Sequence, residues 1–301
     1  IGRGSRWNIG AGLQIGGFSD SDNAAGGGDD IEGNDVRYGA NVGNGTLRVK
    51  DGGLVSIANV VDEGGTGLET RLLIGRLGRI ELEADGRVNL GSAGSQTEPI
   101  DENVILINDG VIAGDGRIDA GIFRNRHLGE VRVGENEKML IVSTANLSGV
   151  PIPIMDLENF PLLNYGLVEV HGGEIEFERG EDDPDTDPPT FQAFQNRALD
   201  ASDTAQLISR RVGEIEAKDA VLRFGTGISN QGFMNFIGGT NDVHGDVTNN
   251  GLVVGMFGEG VITITGDDTF VNFNGILTNN GTIDVPPDAI GFDAGGFVKG
   301  A

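Results

Sequence analysis

A short phrase, Asn, any residue, Gly and then two strand-forming residues, recurs along the chain and restricts its fold more than any other feature. It stands at Asn108-Asp109-Gly110, Asn164-Tyr165-Gly166, Asn230-Gln231-Gly232, Asn249-Asn250-Gly251 and Asn279-Asn280-Gly281. Asn and Gly both tolerate left-handed backbone angles, so each copy is expected to bend the chain between two strands. Gly110 to Gly129 is 19 residues and Gly232 to Gly251 is again 19. One turn of a β-helix takes about that many, so the 37 residues from Gly129 to Gly166 are expected to hold two turns. The intervals of 30 (Gly251 to Gly281) and 66 (Gly166 to Gly232) call for loops that interrupt the coil.

Between these sites the side chains alternate with period two, the mark of a half-buried strand. Ile80, Leu82 and Ala84 face one way and Glu81 and Glu83 the other; Ile175 and Phe177 oppose Glu174, Glu176 and Glu178. Val168 and Val170 are expected inside with Glu169 and His171 outside, and Leu222 and Phe224 oppose Val221 and Arg223. Ile262 and Ile264 alternate with Thr263 and Thr265, and Ile283 and Val285 flank Asp284. A single coil buries five or six such residues at about 1.5 to 3 kcal/mol each, so stability must come from stacking against neighbours. The expected fold is therefore all-β, a right-handed parallel β-helix (β-solenoid) with a short insertion.

Four segments follow from this reading. Residues 1–40, with Gly26-Gly27-Gly28-Asp29-Asp30, form an irregular first coil or edge; 41–180 and 212–301 are solenoid; 181–211 are an acidic loop with a helical insertion. In that insertion the run EDDPDTDPP is too charged and proline-rich for a strand. Phe194, Leu199, Leu207 and Ile208 then recur at helical spacing, with Ser202 or Asp203 as N-cap.

Composition narrows the function. Glycine fills 52 of 301 positions without the strict every-third spacing of collagen, and apolar residues come in short Val/Ile/Leu runs rather than being scarce, which excludes disorder. The formal charge of −25 repels a phosphate backbone, so nucleic acid is excluded as a partner. Without cysteine there is neither a disulfide framework nor a thiolate metal site. No run approaches 18 apolar residues, so no membrane span is expected. The sequence opens at Ile1 without a basic-then-apolar leader, so any secretory signal is expected to lie outside it.

The candidate metal ligands are Asp183, Asp185 and Asp187, three carboxylates on alternate residues as in calcium loops. Pro188 stands where an EF-hand loop has Gly and no Glu follows at the twelfth position, so a solvated acidic loop is the competing reading. Asp20, Asp22, Asp29, Asp30 and Asp35 form a second acidic group and Asp267-Asp268 a third, each readable as a turn or a calcium site. His127, His171 and His244 lack ligand spacing and read as surface histidines. Trp7, Tyr38 and Tyr165 are too few to line a sugar-stacking groove, and no catalytic residue and no cofactor beyond calcium is expected.

The stretch LINDGVIAGDGRIDAGIFRNRHLGEVRVGENEKMLI (residues 106–141) resembles a block of large bacterial surface proteins, the autotransporter-like β-solenoids of planctomycete-like exoproteins with a PEP-CTERM sorting tail. The likeness continues through GLVEVHGGEIEFE (166–178), GEIEAKDAVLRF (213–224) and NDVHGDVTNNGLV (241–253), and NGTLRVKDGGLVSI (44–57) is similar to the glycine repeats of the same proteins. The resemblance implies export, residence at the cell surface or in a matrix, and a non-catalytic role; the family's Val-Pro-Glu-Pro motif is not in this sequence. Alternation runs to both ends, through Trp7, Ile9, Leu13 and Ile15 and through Phe292, Phe297 and Val298, without a polar capping helix. Open solenoid ends expose unpaired backbone groups, so head-to-tail self-association into a homopolymer is expected. Two other functions compete: an adhesin binding a polysaccharide or a cell surface through residues 181–211, and a polysaccharide lyase or hydrolase, which only fold analogy supports.

Overall fold

The computed structural model describes residues 5–10, 12–16, 44–58, 60–61, 67–68, 70–90, 104–143, 162–179, 194–197, 213–251, 259–266, 268–285, 291–293 and 298–300. Within them the chain is an all-β parallel solenoid: nine stacked coils, each built from three faces, preceded by a partial coil of two, with every inter-coil pairing parallel. The first face stacks Glu130–Val133, Leu167–His171, Glu214–Lys218, Phe233–Phe236, Val261–Ile264 and Thr282–Asp284. The second stacks Lys138–Ser143, Glu174–Arg179, Val221–Phe224, Thr240–His244, Phe270–Phe273 and Gly291–Asp293. The third is a ten-stranded sheet that includes Val104–Asn108, Ile122–Asn125, Leu162–Asn164, Phe194–Asn196, Ile228–Asn230, Val247–Asn249 and Leu277–Asn279. In two N-terminal coils the strands Gly78–Leu90 and Val111–Ala120 run around the corner between the first and second faces without a break. Among the described residues there is no helix, and hence none long and apolar enough to cross a membrane.

Alternation places the core where the sequence pattern requires it. Ile80, Leu82, Val168, Val170, Ile175, Phe177, Leu222, Phe224, Ile262 and Ile264 are all buried and belong to one continuous cluster. Phe177 and Phe224, in register on adjacent coils, stack with ring planes 4° apart, and Phe194 from the third face packs against both at 4.3 and 5.3 Å. Two positions depart from the expected alternation. Ala84 is exposed because the strand turns its corner there, with left-handed angles at Ala84 and Asp85, and Gly86 takes the inward place. Val285 is exposed and Ile283 only half-buried.

The Asn-x-Gly phrase has a different role from the one expected of it. None of its asparagines or glycines adopts a left-handed angle. Instead Asn108, Asn125, Asn164, Asn196, Asn230, Asn249 and Asn279 stack at the end of the third face as an amide ladder. From Asn108 to Asn249, each Nδ2 donates to the Oδ1 of the asparagine one coil on, at 2.7 to 2.8 Å. The second amide hydrogen goes to a first-face carbonyl, as from Asn108 to Glu130, Asn125 to Leu167 and Asn196 to Phe233. At two rungs Oδ1 also accepts from the glycine N–H two residues on, as Asn108 does from Gly110 and Asn230 from Gly232. A buried amide is tolerated only when its donors and acceptor are matched, and here each asparagine supplies what the next requires.

Beside this ladder runs a column of glycines, one per coil: Gly45, Gly78, Gly110, Gly129, Gly166, Gly213, Gly232, Gly260 and Gly281. A Cβ at Gly110, Gly166, Gly232 or Gly281 would collide with the carbonyl oxygen of the glycine one coil before it. The requirement is close approach of backbones rather than freedom of φ.

The ladder also corrects the coil count. Successive ladder asparagines lie 17, 39, 32, 34, 19 and 30 residues apart, one coil each. Glu130 pairs directly with Leu167, so the 37 residues from Gly129 to Gly166 form one coil, not two. After Asn249 the column place belongs to Gly260, not to Gly251, because Phe233 pairs with Val261. The proposed helical insertion is overturned at Phe194, which sits in the strand Phe194–Asn196, buried between Leu162 and Ile228. The other members of the spacing, Leu199, Leu207 and Ile208, lie outside the described residues.

Candidate functional site

The coils that carry Asn164 and Asn196 concentrate the ionisable side chains of the outer surface on two faces that meet at one corner. On the first face, outward-pointing Glu169 and His171 alternate with buried Val168 and Val170. Parallel pairing puts Glu169 in register with Glu216 on the next coil and with Arg132 on the previous one, and His171 in register with Lys218. His171 Nε2 lies 3.1 Å from Glu216 Oε1 and its Nδ1 3.5 Å from Glu169 Oε1. Arg132 Nε holds the other oxygen of Glu169, Oε2, at 3.3 Å. One ligand atom from each of Glu169, His171 and Glu216 lies within 4.8 Å of the other two, and all three residues are half-buried.

The corner that follows fixes this group against the second face. Gly172 turns it with a φ of 73°, its N–H donating to Lys218 O at 2.9 Å and its carbonyl accepting from Asn136 N at 2.9 Å. Beyond it Glu174, Glu176 and Glu178 point outward in turn. Arg223 Nε donates to Glu174 Oε1 at 2.6 Å and Lys138 Nζ to the same oxygen at 3.0 Å, with Glu176 3.6 Å from Lys138. Burial pushes the Glu174 carboxyl up, but the hydrogen bonds from Arg223 and Lys138 outweigh it and hold the group below the ordinary glutamate range. Lys138 is correspondingly raised by its bond to Glu174. Glu178 goes the other way: burial first, then a hydrogen bond and repulsion from Glu176, raise its pKa.

The sequence-derived candidates are distributed differently. Asp183, Asp185 and Asp187 lie outside the described residues, as do Asp20, Asp22, Asp29, Asp30, Asp35 and Asp267; Asp268 is exposed. His127 packs against Tyr165 with ring centroids 5.3 Å apart, and His244 stands in register with Arg223 on the second face. His171 faces outward as expected, yet it does have partners of ligand type. They escape a linear search because Glu216 is 45 residues further on and becomes a neighbour only through the coil. The signal was the glycine column, since Gly166 and Gly213 set the same offset that separates Glu169 from Glu216. Comparison with protein-family models, with curated proteins and with solved structures gave no match.

Proposed function

We propose that the protein is a non-catalytic structural component of the cell exterior, a stiff rod that self-associates end to end as a building block of a surface layer, filament or matrix. One observation carries the reading. Among the described residues, Thr282–Asp284, Gly291–Asp293 and Val298–Gly300 pair only with the coil before them, and Arg6–Gly10, Gly12–Ile15 and Gly45–Lys50 only with strands of later coils. Among the described residues the two ends of the stack are thus strand edges on the same three faces, and parallel edges of one spacing are complementary to each other. Between them the core is continuous, and the matched amide ladder resists sliding of one coil on another. The exterior location rests on the likeness to bacterial surface solenoids, and a net charge of −25 suits a solvated, crowded surface.

Light scattering and electron microscopy of the whole chain over a range of concentrations test this. Mass is expected to rise with concentration and rods to lengthen. Thr282 N–H donates back to Gly260, so the alternate N–H, that of Ile283, points onward, and Ile283→Pro is expected to keep the chain monomeric. A wild-type chain that stays monomeric at every concentration overturns the proposal.

A further inference from the structure

We infer that Glu169, His171 and Glu216 form a binding site for a borderline divalent metal ion of the zinc type, held on the outer face across two adjacent coils. The inference stands apart from end-to-end assembly. Two features of the geometry carry it. First, Glu169 and Glu216 are direct register partners on neighbouring parallel strands, so two carboxylates face each other at the spacing where like charges repel. Second, the imidazole between them turns a different ring nitrogen to each, Nε2 to Glu216 at 3.1 Å and Nδ1 to Glu169 at 3.5 Å. A neutral imidazole has one N–H, so one of those contacts sets lone pair against lone pair unless the ring takes up a second proton or a metal ion replaces it. Elsewhere in this column the sheet matches its charges, as at Arg132 with Glu169 and Arg48 with Glu81.

The donor set selects the ion. Calcium and magnesium take oxygen ligands, whereas one imidazole with two carboxylates suits zinc and its neighbours and leaves a fourth position for water. Zinc bonds of about 2.0 to 2.2 Å place ligand atoms about 3.4 Å apart in a tetrahedron. The three ligand atoms already lie within 4.8 Å of one another on half-exposed side chains, so small rotations close the site without moving backbone. The main-chain positions are fixed by strand pairing on both sides, and Arg132 occupies Glu169 Oε2, leaving Oε1 toward the imidazole. Lys218, in register with His171, and Arg132, on Glu169, are the nearby positive groups a bound dication must tolerate.

The test is calorimetric titration of the whole chain with Zn²⁺, and with Ca²⁺ as the contrast, together with the visible spectrum of the Co²⁺-loaded chain. One equivalent of Zn²⁺ is expected to bind and to raise the unfolding midpoint, with millimolar Ca²⁺ failing to displace it. His171→Gln and Glu216→Gln are each expected to weaken Zn²⁺ at least tenfold and to remove the Co²⁺ ligand-field bands, while His127→Gln and His244→Gln change neither. Glu216→Gln carries the test alone if the His171 variant loses its far-ultraviolet strand signal. Absence of saturable binding, binding unchanged in both site variants, equal loss in the His244 variant, or displacement by equimolar Ca²⁺ each overturns the inference.

Discussion

Replacing Asn164 by Ala is the sharpest test of the amide ladder. Asn164 is fully buried; its Oδ1 accepts from Asn125 Nδ2 at 2.7 Å and its Nδ2 donates to Asn196 Oδ1 at 2.8 Å and to Glu214 O at 3.3 Å. Alanine orphans an N–H on one neighbour and an oxygen on the other, in a core closed to water. An unsatisfied buried polar group costs about 1 to 3 kcal/mol, so the two together predict a loss of about 2 to 6 kcal/mol. The control is Asn279→Ala at the far end of the ladder, where the residue is half-exposed and only the Asn249 amide loses a partner that water can replace; about 1 kcal/mol is expected. Asn164→Asp probes direction: a carboxylate still accepts from Asn125 but has no hydrogen for Asn196. Burial raises the folded-state pKa of that Asp, so the variant loses stability as pH rises above the ordinary aspartate value of about 3.9 and recovers on acidification. Urea unfolding followed by far-ultraviolet circular dichroism, with slopes compared before midpoints, measures all three. If Asn164→Ala falls within about 0.5 kcal/mol of the wild type, or matches Asn279→Ala, then the ladder contributes nothing beyond ordinary turn chemistry.

Four further outcomes follow from the same geometry. Gly232→Ala drives a methyl into the carbonyl of Gly213, which itself accepts from Phe233 N–H, so a loss of at least about 3 kcal/mol is expected by urea unfolding, by backbone displacement rather than lost contact. Glu178→Gln is expected to raise the unfolding midpoint at neutral pH: a raised folded-state pKa means that the ionised group opposes folding, and the gain should vanish as pH falls and the wild-type carboxyl protonates. Glu174→Gln should lower the midpoint at neutral pH. Because the Glu174 pKa is depressed by folding, its contribution is present above the ordinary value of 4.5 and lost as pH falls through the depressed one, so wild type and variant should converge in acid. Lys138 gives the mirror image, its share fading only as pH climbs past the ordinary lysine value of 10.5. Midpoints recorded across pH check all three groups.

Much of the solenoid was legible in the residues, and for a physical reason. Strand alternation is local, since adjacent side chains must point to opposite faces, so Val168, Glu169, Val170 and His171 declare their sides in any parallel sheet. The phrase Asn-x-Gly is also local, but its meaning is not. The same two residue types satisfy a left-handed turn and a buried ladder, and only the coil one register away shows that Asn108 is bonded to Asn125 and that Gly110 faces another carbonyl. Asn125 and Asn196 were missed altogether because Gly129 and Gly213 follow them at four and seventeen residues.

What the sequence determined by itself was the class of fold: short strands, apolar on one side, punctuated by Asn and Gly, with no helix-sized apolar stripe that a core needed. What only the tertiary structure decided was length per coil and everything that depends on it. Extra residues enter either between a ladder asparagine and its column glycine, as from Asn196 to Gly213, or between the second and third faces, as from Ser143 to Leu162, and disturb neither ladder nor column because both are held by neighbouring coils rather than by the intervening chain. The partners of Glu169 and His171 therefore lie a whole coil away, at an offset that no local pattern encodes.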